Sequence, residues 1–301
     1  MTALSYVSEI KKEEEPSEIT TLLFVGDVML SRDVGKIMEE KSDFTYPFQL
    51  IKETLEDTDL LIGNLENPIS EKGIKAGSIY SFRAKPQSVE GLSFPGFDVL
   101  SLANNHIWDY GKEALLDTFS YLHDAGISYI GAGKDFPEAH TAYITEINGV
   151  RFAFLAYTNL ISKTFAKEIS EPAVAFIDEE VMRHDIERAR NMADVVVISF
   201  HWGEEYKTVH NNYQEDIAHK AIDFGADLIV GHHSHVVQDV EEYKGRLVVY
   251  SVGNFIFDQN FDNETEKGII LKTVFRGRNL EQHHLIPIAF TKEYRPFPLP
   301  Q

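Results

Sequence analysis

The stretch ADLIVGHHSHVVQ, residues 226–238, joins a strand signal to a cluster of imidazoles. Leu228-Ile229-Val230 is the short apolar run of a buried strand, and Gly231 ends it. The next four positions carry His232, His233 and His235. A neutral imidazole is a common metal ligand near pH 7. If the segment stays extended, side chains two apart share a face, so His233 and His235 point at one place and His232 points the other way. An isolated pair of this kind fits a polar loop as well as a metal site. The rest of the chain decides between them.

Of the 301 residues, 43% are hydrophobic and 25% are charged, which suits a globular chain with a sizeable core. There is no cysteine, so disulfides, thiolate zinc sites and cysteine nucleophiles are excluded. Twenty-eight Lys and Arg against 48 Asp and Glu leave a formal charge of −20. Such a field repels nucleic acid and anionic membrane surfaces, so neither is an expected partner. An anionic substrate needs local cations here, and metal ions supply them. No apolar run reaches the roughly 18 residues of a membrane span. The start of the chain lacks the basic-then-apolar layout of a signal peptide. Residues 1–20, rich in Glu, Lys and Ser, read as a flexible leader, residues 21–295 as one domain, and the proline-bearing 296–301 as an irregular tail.

Working outward from the histidines, the same pattern recurs along the chain. Thr21–Val25 is strand-like and breaks at Gly26-Asp27. An acid just past a buried strand is where α/β folds place ligand-binding groups, although Asp27 equally fits a turn or helix cap. Arg32 follows within a turn and can face the same mouth. Asp59–Ile62 is a second strand, ending in Gly63-Asn64-Leu65-Glu66, where Asn64 and Glu66 share a face if the chain stays extended. Phe97–Leu102 delivers Asn104, Asn105 and His106, and Lys112–Ala125 follows as an amphipathic helix that Asp109 is placed to cap. Asn148-Gly149 between two apolar runs signals a two-residue hairpin. Ala193–Phe200 leads to His201, and Glu179–Ala193 and Gln214–Phe224 read as helices. After the opening stretch, RLVVYS runs into Gly253-Asn254, and two further strand-like runs cover 268–273 and 284–290. Trp202 and Tyr206 read as wall or packing residues, and His283 and His284 as surface or packing residues away from every motif.

Strand–helix alternation early and antiparallel pairs later give an α/β chain with α+β character toward its end. Five strands terminate at metal-capable groups: Asp27, Asn64 with Glu66, Asn105 with His106, His201, and His233 with His235. Residues past parallel strands gather at one sheet edge. Mixed oxygen and nitrogen donors suit Mn, Fe or Zn rather than a calcium cage. The donors outnumber what one tetrahedral ion takes, so two divalent ions are inferred. Paired ions about 4 Å apart activate water and clamp phosphoryl oxygens.

The ordered segments GDVMLSR (26–32), GNLENPI (63–69), LANNHIWDYG (102–111), HWGEEY (201–206), GHHSHVVQ (231–238) and YSVGNFIFDQ (250–259) resemble the calcineurin-like metallophosphoesterases. The resemblance is closest to their CapA branch, the poly-gamma-glutamate capsule biosynthesis proteins. It implies a four-layer sandwich of two mixed β-sheets flanked by helices. It also implies metal ligands at Asp27, Glu66, Asn105, His201, His233 and His235, with Glu66 bridging. By the same resemblance His106 protonates the leaving group; Arg32, placed within a turn of Asp27, is the residue expected to hold substrate oxygens. Asn64, Asn104, Asp109, Glu205, His232 and Asn254 surround these groups or reach substrate. Two departures stand out: Met29 occupies the place of the superfamily's first-motif histidine, and Gly63-Asn64 replaces Gly-Asp.

The implied function is metal-dependent hydrolysis of a phosphoester or phosphorylated intermediate in capsule or polyglutamate synthesis, at the cell envelope, alongside membrane-bound synthase subunits. The alternative is a non-hydrolytic subunit that binds or exports an anionic polyglutamate chain. A metal that only holds the fold together is a third reading, which fewer, more clustered ligands would suit better.

Overall fold

The computed structural model describes residues 18–77, 79–161 and 171–300. Of the expected leader, residues 1–17 lie outside the described set, while Ile19 and Thr20 already belong to the first strand. That strand, β1 (Ile19–Val28), pairs in parallel with β2 (Leu60–Leu65), β2 with β3 (Val99–Ser101), and β3 with β4 (Ser128–Ile130). On its other side β1 is antiparallel to β14 (Lys267–Arg276), which leads through β15 (Asn279–Phe290) to β16 (Pro296–Pro298). Residues 296–298, expected as irregular, therefore form an edge strand, where a proline's missing N–H costs no ladder bond. A short strand, β13 (Asn254–Ile256), lies parallel to the end of β1 and completes a mixed sheet.

The second sheet runs β11 (Val240–Tyr243), β12 (Arg246–Val249), β10 (Leu228–His232), β9 (Val195–His201), β7 (Val150–Thr158) and β6 (Tyr143–Ile147). Its centre is parallel and its two edges are antiparallel hairpins. The β6–β7 turn is the expected Asn148-Gly149, with φ of 52° and 76°, the backbone a type I′ turn requires. A two-stranded ribbon joins β5 (Ala132–Gly133) to β8 (Ala173–Val174).

The helices are α1 (Arg32–Lys41), α2 (Lys52–Leu55), α3 (Ser88–Ser93), α4 (Gly111–Asp124), α5 (Phe136–Ala139), α6 (Glu179–Met192) and α7 (Asn212–Phe224). Sequence periodicity alone does not single out α1 or α3. In α7, Asn211 and Gln214 form a reciprocal capping box, and Gly225 ends the helix at φ 123°. Alternation along the second sheet divides its side chains between two cores. Phe152, Phe154, Val195, Val197, Leu228 and Val230 face the first sheet, and Phe152 meets Phe275 of β14 edge-on at 5.4 Å between ring centroids. Leu155, Tyr157, Val196, Ile198 and Ile229 face Met182 and Ile186 of α6 and Ile217 and Ala221 of α7. The layers are thus helix, sheet, sheet, helix, the expected four-layer sandwich of mixed sheets. Burying both faces explains why the parallel strands read as continuous apolar runs.

Candidate metal centre

Strand register brings the polar residues together. Asp27 of β1 lies level with Asn64 of β2 and Asn254 of β13, and His201 of β9 lies level with His232 of β10. The strand ends of the two sheets meet there, and within each sheet neighbouring segments approach so closely that only glycine fits. A Cβ at Gly231 would lie 1.9 Å from the Tyr250 carbonyl, and one at Gly26 the same distance from that of Gly253.

Past β10 the chain is not extended. His233 and His235 have φ of 92° and 56°, in the left-handed region. The alternation expected from the sequence therefore fails. His232 does not point away, since its Nδ1 lies 3.4 Å from Asp27 Oδ1. His233 and His235 reach the same cleft through two unusual backbone turns instead, and the His233 N–H donates to Asp27 Oδ2 at 3.2 Å.

Glu66 lies at the centre, fully buried. His201 Nε2 is 3.6 Å and His235 Nε2 3.8 Å from its Oε1. Neither of its oxygens has a hydrogen-bond partner among the described residues, and neither has His232 Nδ1 or His233 Nδ1. Burial, reinforced by the nearby charge of Asp27, pushes the Glu66 carboxyl well above the usual range. Burial alone would raise Asp27 too, but the imidazoles of His232 and His235, each with Nδ1 3.4 Å from its carboxylate, hold it well below that range. Burial, with like charge on neighbouring imidazoles, pushes His201 well down and His233 down to about 3. Imidazoles that stay neutral keep a lone pair for a metal.

Three sets of donors converge within 4.8 Å: Glu66, His201 and His233; Asp27, Glu66 and His235; and Glu205, His233 and His235. Orphaned buried donors of this chemistry fit divalent ions, because buried polar atoms without partners are costly unless a ligand completes them.

The other predicted residues surround this cluster. Asn64 is taken up by the protein, with Nδ2 donating to Asp27 Oδ1 at 2.8 Å and Oδ1 accepting from Asn104 at 3.1 Å. Asn104 Oδ1 accepts the N–H groups of His106 and Ile107, which shapes that loop. Asn105 Oδ1 lies 2.7 Å from His201 Nε2. Asn254 Oδ1 lies 3.0 Å from His235 Nδ1 and orients that ring. Asp109 does not cap α4, which begins after Tyr110 with no side-chain cap. Its Oδ2 instead accepts the Phe82 N–H at 2.7 Å and lies 2.7 Å from His106 Nδ1. The Phe82 ring stacks 4.0 Å from that of His106, and Arg32 sits over Phe82 at 5.0 Å. Arg32 grips Asp258 through Nε and Nη2. Neither Phe82 nor Asp258 stands out in the sequence as a site residue. Trp202 is core, donating to the Tyr250 carbonyl, and Tyr206 lies by His235 with 6.1 Å between rings. His283 and His284 are exposed on β15.

Residues 21–259 match the family described as Bacterial capsule synthesis protein PGA_cap. The chain belongs to that family. It is 34% identical over 272 residues to the capsule biosynthesis protein CapA of Bacillus anthracis, covering 88% of this chain and 66% of that one. The PGA biosynthesis protein CapA of Bacillus subtilis is 35% identical over 256 residues, covering 84% of this chain and 67% of that one. This chain thus spans about two thirds of the length of those relatives. A probable polyglutamine synthesis accessory protein of Mycobacterium tuberculosis is 27% identical, with coverage of 91% and 86%. Among solved structures, the 5'-nucleotidase precursor of Thermus thermophilus superposes with a TM-score of 0.53 at 13% identity, covering 93% of this chain and 56% of that one. The NAD nucleotidase of Haemophilus influenzae gives 0.52 at 12%, covering 94% and 54%. The fold is therefore of the metallophosphoesterase and 5'-nucleotidase type.

Proposed function

We propose that this PGA_cap family member is a metal-dependent hydrolase acting on a phosphoester or phosphorylated intermediate of capsule or polyglutamate synthesis. The observation that carries the reading is Glu66, fully buried between two donor sets with both oxygens unpartnered among the described residues. Asp27, Glu66 and His235 would hold one ion, and Glu66, Asn105, His201 and His233 a second. Bound divalent ions supply a Lewis acid for phosphoryl oxygens and a water acidic enough to attack near neutral pH. The chain's own residues do the rest. A carboxylate oxygen only accepts, so Asp109 holds one proton of His106 on Nδ1; a second proton, carried on Nε2 when the ring is doubly protonated, is the one that passes to the leaving oxygen and leaves the ring neutral. Phe82 stacks on that ring and keeps water from one face of it. Arg32 Nη1, which has no hydrogen bond among the described residues, is the guanidinium group left to hold a substrate oxygen.

The expected outcome is that Mn²⁺ restores hydrolysis of an aryl phosphodiester to chelated protein and that His233→Ala lowers it at least about a hundredfold. Hydrolysis that survives both chelation and the substitution contradicts this reading.

One observation favours a second reading, a polymer-binding or export subunit that cuts nothing. Met29, in the place of the superfamily histidine, is fully buried, and its sulfur is engaged by the Ser31 hydroxyl at 3.0 Å. The donor set around Asp27 is thus one imidazole short of the superfamily pattern. A polyglutamate-binding assay on metal-loaded and metal-free protein tests this; no binding in either state counts against it. On either reading the place of action is the cell envelope, with capsule-synthesis subunits as partners. No helix among the described residues is long and apolar enough to cross a membrane.

A further inference from the structure

Beside the metal cleft, on the far side of Phe82, lies a cavity of about 320 Å³ between the first turns of α1, the segment 83–85 and the start of α3. Its walls carry Arg32, Lys36, Arg83 and Lys85, a concentration of cations that stands out in a chain of net charge −20. Three of the four are already countered. Arg32 is paired with Asp258, Lys36 lies 2.7 Å from Asp33, and Lys85 lies 2.7 Å from Glu39, itself a wall residue. Arg83 is different. It stacks 4.1 Å over Tyr110 and donates to the Lys72 carbonyl at 2.8 Å, with no carboxylate within 4.0 Å among the described residues.

A second, independent observation lies on the inner wall. Ser88 is 1% exposed, and its hydroxyl has no hydrogen-bond partner among the described residues. A buried hydroxyl without a partner costs free energy unless a ligand completes it. One uncompensated guanidinium and one idle hydroxyl, with Glu71 also on the wall, match a single negative charge better than a phosphate dianion. The volume is that of a small-molecule site.

We propose that this cavity binds a carboxylate of the substrate, holding a carboxylate-bearing chain while its reacting end lies in the metal cleft. Arg83 supplies the charge and Ser88 the neutral donor. The stack from Arg32 over Phe82 to His106 is the partition between the two sites. The inference rests on the hydrolase reading for what happens in the cleft, but the cavity contains no metal ligand, so binding there is measured without metal.

The test is calorimetric titration of the whole chain, chelated, with a γ-linked glutamate pentamer, and with inorganic phosphate as the competing anion. The wild type is expected to bind the pentamer, and Arg83→Ala to weaken that binding about tenfold. Because Arg83 also holds its loop, Ser88→Ala is the second variant. It removes an unpartnered hydroxyl, so the melting temperature holds or rises while pentamer binding weakens about threefold. Absence of pentamer binding in the wild type overturns the proposal. So does binding that neither substitution alters, and so does phosphate binding as tight as that of the pentamer. Loss of metal-dependent hydrolysis with intact pentamer binding would fault the cleft reading and leave this one standing.

Discussion

Two buried polar clusters, one between α6 and the second sheet and one where the strand ends of the two sheets meet, are built on opposite principles. Behind the second sheet, under α6, Asp185 is saturated: His140 Nδ1 lies 2.8 Å from its Oδ2, the Tyr157 hydroxyl donates to the same atom at 3.1 Å, and Arg188 donates to Oδ1 at 3.0 Å. Where the strand ends of the two sheets meet, Glu66, just past β2 of the first sheet, is just as buried, yet among the described residues both of its oxygens and two nearby imidazole nitrogens are left without partners. The first arrangement is what a fold needs when it encloses charge. The second destabilises the fold on its own and makes sense when a cation completes it. Burial alone therefore does not mark a functional site. Unmet hydrogen-bonding capacity does.

The largest expected effect separates the clusters by stability. Asp185→Ala leaves His140, Tyr157 and Arg188 facing a hole and should cost about 3 kcal/mol in chemical denaturation, with divalent-ion affinity unchanged. A loss under about 1 kcal/mol would remove the contrast. Next, saturating Mn²⁺ at about a hundredfold excess over Kd should stabilise chelated wild type by about 2.7 kcal/mol, a rise of about 4 °C in Tm. Asp185→Ala should gain as much, because its defect lies elsewhere.

How much of this could be read beforehand follows the range of the interactions. Apolar runs ending at Asp27, Glu66, Asn105 and His201 revealed both the sheets and the cleft, because the backbone carries each residue to the sheet edge. The His233 and His235 turns were not legible, since positive φ at non-glycine residues is set by surrounding packing. Nor was the role of Asp109, whose Phe82 partner lies 27 residues away, or the Arg32–Asp258 pair, separated by 226 residues. Local capping rules pointed Asp109 at the nearer helix, and a tertiary contact claimed it.

A smaller effect is expected with pH in chelator. The folded chain holds His233 at about 3, against 6.5 when unfolded. The unfolded chain thus takes up a proton as pH falls through 6.5 while the folded chain does not, so this contribution is present above 6.5 and is lost progressively toward 3. Glu66 opposes it, because its raised folded value makes stability fall as pH rises above 4.5. The difference between wild type and His233→Ala isolates the histidine. Their stability gap should narrow between about pH 7 and about pH 5, and a constant gap would show that His233 is not buried in its neutral form.

The most direct measurement is calorimetric Mn²⁺ titration of chelated wild type and Glu66→Gln, with the melting temperature of each metal-free form. The account predicts that wild type binds the ion, that Glu66→Gln weakens binding at least about tenfold, and that the metal-free variant melts no lower than metal-free wild type. Equal Mn²⁺ affinity in the two proteins, or a metal-free variant that melts well below wild type, would contradict it and make Glu66 a structural residue.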